Sequence, residues 1–385
     1  MAQTRLEVSQ IGPIRRAEVE FGDLTVVVGP QATGKSIFLE LFKLLEDTRS
    51  ILAELKRYGL DWDKQTSKLL DIYLGEGMGN IWRRRASRVV YKGQAVDLDQ
   101  LTARRTGHRE ESVFFIPAQR VLTLARGWPR PFTDYDPGDP FTVCDFSEKI
   151  RQMMQKGLGS GQSLFPHSGR LKSQLRDSLN DTLFLDFQLH VDKERAQKRL
   201  VLRTSEEAAP LPYMVWSAGQ REFVPLLLGF YWLAPSGATS RRGNIEWVVI
   251  EELEMGLHPR AISTVLLLVL ELLSRDYRVC LSTHSPHVLE VVWALRAFQD
   301  NDAEPERLLE LFEVERRHDL TRMAERVLQK EARVYYFDPT TGMTRDISNL
   351  DPGAADVAES GWGGLSEFSG RVADVVADVV ARAGV

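Results

Sequence analysis

The chain has 385 residues, 43% hydrophobic and 27% charged, with a formal net charge of -5. That balance excludes a disordered or collagen-like chain and supplies enough apolar material for a sizeable core; the acidic sum argues against a chain built overall to wrap nucleic acid. The two cysteines, Cys144 and Cys280, lack metal-ligand spacing and point to a reducing, cytoplasmic setting. Residues 1–9 are polar and lack the apolar centre of a secretory signal. The longest apolar stretches, 224–234 and 262–273, fall short of the ~20 residues that span a bilayer, so no membrane partner is expected.

In chain order, apolar and polar residues alternate at Leu6 and Val8, then at Ile14, Ala17, Val19 and Phe21, which predicts an antiparallel hairpin turning near Gly12-Pro13. Residues 24–28 are continuously apolar or β-branched, the pattern of a central strand buried on both faces. Ile37, Leu39, Leu41, Phe42, Leu44 and Leu45 then follow helical spacing. Residues 51–110 read as a peripheral insertion carrying Arg83, Arg84, Arg85, Arg88, Arg104 and Arg105. A strand at 113–116 leads to Gln119, 140–182 reads as a helical subdomain, and 183–202 as a second hairpin turning near 192–196.

Further on, Ser217-Ala218-Gly219-Gln220 opens an apolar helix. A strand at 247–250 ends in Glu251-Glu252, a helix covers 260–273, and a strand at 279–282 ends beside His284. Residues 291–385 read as an extension packed on the core, with a strand at 333–337 and a turn at 339–342. In its last helix Phe368, Val372, Val375, Val376 and Val379 form a stripe expected to face the core. The order of elements is α/β, with a mixed central sheet, an antiparallel β part and helical insertions in one domain spanning 1–385.

The chemistry concentrates at strand ends. Gly29-Pro30-Gln31-Ala32-Thr33-Gly34-Lys35-Ser36 satisfies G-x-x-x-x-G-K-[ST] between a buried strand and a helix. Gly29 and Gly34 let backbone N–H groups curl around phosphate oxygens, Lys35 brings a positive charge, and the Ser36 hydroxyl can ligate Mg²⁺. Glu251-Glu252 after an apolar strand suits a divalent cation at Glu251 and an attacking water at Glu252. His284 is placed to donate to a γ-phosphate, and Gln119 to touch Mg²⁺ or the water. Ser217, Gly219 and Gln220 offer a hydroxyl and free N–H groups at a helix start, suited to an anion. Taken singly, a carboxylate pair is more often a solvated helix start and a lone histidine more often structural; the order of the elements outweighs both.

That order resembles the ABC-ATPase family, with a P-loop at 29–36, a Q-loop glutamine at Gln119, a signature at 217–220, a Walker B strand at 248–252 and a switch histidine at His284. The finer likeness is to soluble members such as DNA-repair heads and the overcoming-lysogenisation-defect (OLD) family of phage-defence ATPases. It is carried by residues 251–259 and Ser282-Thr283-His284-Ser285-Pro286-His287. The chain departs from frequent family residues at Glu251 in place of aspartate, Leu253 in place of proline and Gln31 in place of asparagine; the first of these bears on turnover rate. OLD nucleases continue into a metal-dependent TOPRIM domain. Residues 291–385 are short for one and are expected to hold no Asp-x-Asp, so no nuclease is expected.

The resemblance implies an ATP hydrolase using ATP and Mg²⁺, in which two copies of the chain sandwich the nucleotide and Ser217 and Gly219 act across the dimer. Three outputs are compatible with it. The first is control of a separately encoded effector protein in antiviral defence. The second is a DNA-binding repair head, with DNA gripped by the arginines of 83–105. The third is a nucleotide-gated scaffold with little turnover.

Overall fold

The computed structural model describes residues 4–102, 110–158, 163–167, 169–192, 197–205, 209–234 and 241–383. The chain opens with strands β1 (Thr4–Ile11), β2 (Ile14–Phe21) and β3 (Leu24–Val28), then helix α1 (Lys35–Arg57). Helix α2 (Thr66–Leu74), strands β4 (Arg88–Tyr91) and β5 (Gln94–Val96), helix α3 (Leu98–Thr102) and strand β6 (Val113–Ile116) follow. A tight hairpin of β7 (Leu124–Ala125) and β8 (Trp128–Pro129) precedes helices α4 (Phe141–Met153) and α5 (Ser173–Leu179). Strands β9 (Gln188–Asp192), β10 (Arg199–Arg203) and β11 (Leu211–Pro212) form a small antiparallel sheet before α6 (Ala218–Leu233). Next come β12 (Trp247–Glu251), α7 (Pro259–Ser274), β13 (Arg278–Thr283) and α8 (Pro286–Asp300). The chain closes with α9 (Pro305–Leu311), α10 (His318–Val327), β14 (Ala332–Asp338), β15 (Met343–Asp346), α11 (Val357–Ser360) and α12 (Glu367–Ala383).

Ten strands make one mixed sheet in the order β5-β4-β1-β2-β15-β14-β3-β13-β12-β6. The five from β14 to β6 run parallel, whereas β2, β1, β4 and β5 pair antiparallel. Every residue of β3, β6 and β12 is buried, as expected for parallel strands covered on both faces. Alternate side chains feed two separate cores. Val26, Phe114, Val248 and Leu281 pack with α4, α6, α7 and α8. Val27, Phe115, Val249 and Cys280 pack with α1, α2 and the amino-terminal hairpin. In the second core Phe42 of α1 stacks on Phe21 at 4.6 Å and meets Trp247 edge-on at 5.0 Å.

The hairpin at Gly12-Pro13, the glycine loop between β3 and α1, and the strands ending at 116, 251 and 283 agree with the sequence reading. The turn near 192–196 lies outside the described residues except for Asp192, and so do Arg104 and Arg105. Strand β14 pairs with β3 itself, so the segment after residue 291 contributes to the interior of the sheet. The expectation that 291–385 hold no Asp-x-Asp is wrong: Asp300-Asn301-Asp302 is such a string, but it lies at the end of helix α8 and not after a strand.

A second expectation is overturned. The stripe on α12 does not pack against the core: Phe368 is 70% exposed, Val375 60% and Val379 60%. Amphipathic spacing shows that one face of a helix is apolar, but it does not say what that face meets. No helix among the described residues is long and apolar enough to cross a membrane.

Helix α1 is tied to the sheet by a buried charge cluster. Its regular geometry breaks at Asp47 (φ -109°, ψ 19°). There the carboxylate accepts from the Ser112 amide at 2.8 Å, the Ser112 hydroxyl at 2.8 Å and the Val113 amide at 3.0 Å. Lys43 is wholly buried and donates to Asp47 at 3.1 Å and to the Val113 carbonyl at 2.7 Å, with Glu111 also in contact. Burial works against its ammonium, but Glu111, Asp47 and Asp145 outweigh it and raise the lysine above its ordinary range. Removing one partner of such a cluster strands the rest. Asp47→Ala is therefore expected to cost about 3–5 kcal/mol in denaturant unfolding; a loss below about 1 kcal/mol, the range of exposed ion pairs, would contradict this reading.

Candidate functional site

The site arises from strand register. Parallel pairing sets Thr283 opposite Val28 and Glu251 opposite Ser282, so the glycine loop, the two glutamates and His284 emerge together at the carboxyl edge of the sheet. The loop curls through positive φ at Gly29 (141°), Ala32 (60°) and Gly34 (96°). Gly34 is required twice over. Its φ favours glycine, and a Cβ there would lie 2.6 Å from Cγ1 of Ile14. Thr33 closes the turn, its hydroxyl donating to the Pro30 carbonyl at 2.9 Å.

Lys35 folds over the loop and donates to the carbonyls of Gly29 at 2.7 Å and Pro30 at 2.8 Å. Burial lowers its pKa to about 8, with Glu252, Glu254 and Glu251 opposing the shift, so the ammonium persists at neutral pH. A cavity of about 560 Å³ opens beside it, with Pro13, Gln31, Lys35, Ser36, Glu252 and His284 among its walls. Its size falls in the range of small-molecule sites, and Lys35 brings a positive charge to its wall.

The acids have different surroundings. Glu251 is buried, which raises its pKa, while the Ser36 hydroxyl and the Ala118 amide (3.2 Å) donate to it. Its second oxygen, Oε1, is buried with no protein partner. A serine hydroxyl beside an unpartnered carboxylate oxygen fits Mg²⁺, which takes one or two protein ligands and completes its shell with phosphate and water. Among the described residues no group of three His, Cys, Asp or Glu is gathered for a metal. Glu252 holds a left-handed backbone (φ 44°), and its amide donates to the Ser282 carbonyl at 3.0 Å. Such a conformation is costly for a side-chain-bearing residue and accompanies an aimed side chain. Its carboxylate lies 3.7 Å from Nε2 of His284. Burial and Lys35 lower the His284 pKa against the pull of Glu252 and Glu254, leaving a neutral imidazole at pH 7. Glu254 fixes the histidine from behind by accepting its amide at 2.6 Å.

Gln119 is exposed next to Ala118 and is not among the residues lining this cavity. Ser217, Gly219 and Gln220 also lie away from it, at the start of α6. There the Ser217 hydroxyl accepts from the Gln220 amide at 3.2 Å, and the Gln220 side chain accepts from the Ser217 amide at 3.1 Å, a reciprocal cap that leaves Ser217 on the surface. Arg83, Arg84, Arg85 and Arg88 are exposed; Arg84 pairs with Asp99 at 2.8 Å and Arg88 donates to nearby carbonyls.

Sequence reasoning missed Arg120. Fully buried, it donates to the carbonyls of Glu222 (3.2 Å), Glu251 (3.0 Å) and Glu252 (3.0 Å), and so joins the strand-end acids to α6. Burial lowers its pKa, and the carboxylates of Glu222, Glu254, Glu252 and Glu251 offset the loss. Only its place immediately after Gln119 marked it, and that is how an exposed arginine reads as well.

Loop, strand-end acids and histidine on a mixed sheet define the class: an α/β domain built around a P-loop. Residues 136–290, well under half of the chain, match the profile of a family described as "AAA domain, putative AbiEii toxin, Type IV TA system". Among curated proteins none matches the sequence. Similar solved structures include an SMC head bound to the C-terminal winged-helix domain of ScpA, at 8% identity and TM-score 0.42, covering 90% of this chain and 97% of that one. The SMC head domain from Thermotoga maritima aligns at 14% identity and TM-score 0.31, over 75% of this chain and 92% of that one. A dimeric bacterial ABC transporter cassette aligns at 12% identity and TM-score 0.33, over 74% and 89%.

The Arg120 fork makes a local prediction. Arg120→Lys keeps a charge but loses the planar, multi-carbonyl grip. It should speed hydrogen exchange at the amides of 252–255 relative to those of β6, and unchanged protection there would refute the assigned role.

Proposed function

We propose that the chain is an ABC-type ATPase head that binds ATP and hydrolyses it within a sandwich of two copies. The observation that carries this reading is the convergence of Lys35, Ser36, Glu251, Glu252 and His284 on one cavity. The amides of the loop and the Lys35 ammonium would cradle the β- and γ-phosphates. Ser36 and Glu251 would hold Mg²⁺, which supplies charge neutralisation on the phosphate oxygens. Glu252, in the wall of the cavity, orients the attacking water and accepts its proton as the oxygen bonds to the γ-phosphorus and the bond to the bridging oxygen breaks. His284, neutral at pH 7, donates one hydrogen bond to the γ-phosphate.

Ser217 and Gly219 serve the site of the opposite copy, and the exposure of Ser217 is what a role in trans needs. Gln119 joins the water and metal only once the heads close. Closure that depends on a shared γ-phosphate links binding to shape, since the ligand favours the closed pair. We further infer that closure controls a separately encoded effector in antiviral defence, as in OLD-like ATPases. The description of the family matched at 136–290, which names a putative toxin and a type IV TA system, supports that output. Of the arginines at 83–88, Arg84 pairs with Asp99 and Arg88 donates to carbonyls of its own turn, and the acidic net charge of -5 weighs against the DNA-binding reading.

Lys35→Ala should abolish ATP binding. Glu252→Gln should keep binding while phosphate release falls by about 10²–10⁴-fold and a nucleotide-held dimer accumulates. Nucleotide titration, phosphate release and light scattering measure the three effects, and rapid hydrolysis by Glu252→Gln would overturn the assignment of the base.

A further inference from the structure

We propose that α12 is a self-association helix that pairs antiparallel with α12 of a second copy, independently of nucleotide. The turn before it is anchored, with Trp362 donating to the Leu350 carbonyl at 3.1 Å. Beyond that anchor every residue from 367 to 382 is exposed, so the helix stands clear of the body. At 17 residues it extends for about 25 Å.

Such a helix is poorly suited to stand alone. Val372, Val375, Val376, Val379 and Val380 are weak helix formers, and Gly370 is weaker still. The apolar side chains line one stripe, with Phe368, Val372, Val375 and Val379 at alternating spacings of four and three. That is the seam of a two-helix coiled coil.

The charges select both the partner and its direction. On the seam, Arg371 and Asp378 each immediately precede a valine knob, Val372 and Val379 respectively. When two copies run antiparallel with Val372 against Val375 and Phe368 against Val379, Arg371 of each copy falls beside Asp378 of the other. The same register brings Glu367 beside Arg382. Within one helix Arg371 already reaches Glu367 (3.7 Å) and Arg382 reaches Asp378 (2.7 Å). The pairing therefore closes two four-membered rings of alternating charge, one on each side of the two-fold axis. A parallel pair would set Arg371 against Val376 and Asp378 against Ala383, with no complementary charge. The surface is thus complementary to itself in one orientation. A short seam of this kind makes a weak contact that holds two heads near each other, raising their effective concentration for closure.

This pairing goes beyond the ATP-sandwich reading and does not require it, so Lys35→Ala serves as the background for the test. Sedimentation velocity of the full chain without nucleotide should show a concentration-dependent dimer, equally in Lys35→Ala. Arg371→Asp or Asp378→Arg alone places like charges together on both sides of the axis and should weaken the dimer at least tenfold. The double reversal should restore it. Because α12 is exposed throughout, these changes leave the folded body intact, which circular dichroism checks. Oxidising a mixture of Val372→Cys and Val375→Cys chains should give the mixed disulfide in preference to either self-disulfide. A chain that stays monomeric without nucleotide, reversals without effect, a double reversal that fails to rescue, or dominant self-disulfides would each overturn the proposal; the first would leave α12 to a partner other than this chain.

Discussion

Parallel pairing of β3 with β13 and of β13 with β12 is the constraint on which the rest depends. A parallel ladder fixes which residue stands opposite which, and here it sets Val28, Thr283 and Glu251 at a common edge. Slipping any strand by two residues would keep its faces correct yet separate Lys35 from Glu252 and His284. What holds the register is the fit of individual side chains into two close-packed cores. The amino-terminal hairpin and α1 close one face, and the four helices α4, α6, α7 and α8 close the other. The geometry of the candidate site is thus a by-product of two separately packed cores.

Charges buried behind the site brace this edge. Lys43 and Asp47 hold α1, and with it the glycine loop, against the start of β6. Arg120 binds the backbone just past β12 to α6, whose first turn carries Ser217 and Gly219. A force applied at the exposed start of α6 therefore meets the carbonyls of Glu251 and Glu252 through one rigid guanidinium. In the proposed dimer this gives a short physical route from the partner's nucleotide to this copy's own acids.

Much of the edge was legible in the sequence, because it is written in local pattern. A continuous apolar run, a glycine loop and a helical period can each be read within a dozen residues, and Glu251-Glu252 and His284 follow strands of the same kind. What was not legible depends on distant partners. That β14 enters the sheet beside β3, about 300 residues away, follows from packing and not from its own composition. Arg120 and Asp47 look like surface charges until the fold buries them among carbonyls and amides. The stripe on α12 was visible, but its period could not distinguish a face turned to the core from one turned to another molecule. Glu252 carried no sign of its left-handed backbone, since no glycine or asparagine marks the position.

The central claim is that each ATP site is shared between two copies, with the P-loop of one facing Ser217 and Gly219 of the other. Mixing two separately inactive chains, Lys35→Ala and Ser217→Arg, tests it directly by phosphate release. Sites shared across the dimer leave one intact site in each mixed pair, so the mixture should regain roughly a quarter of wild-type activity under random pairing. A mixture as inactive as its components would contradict the shared site and confine any chemistry to a single head.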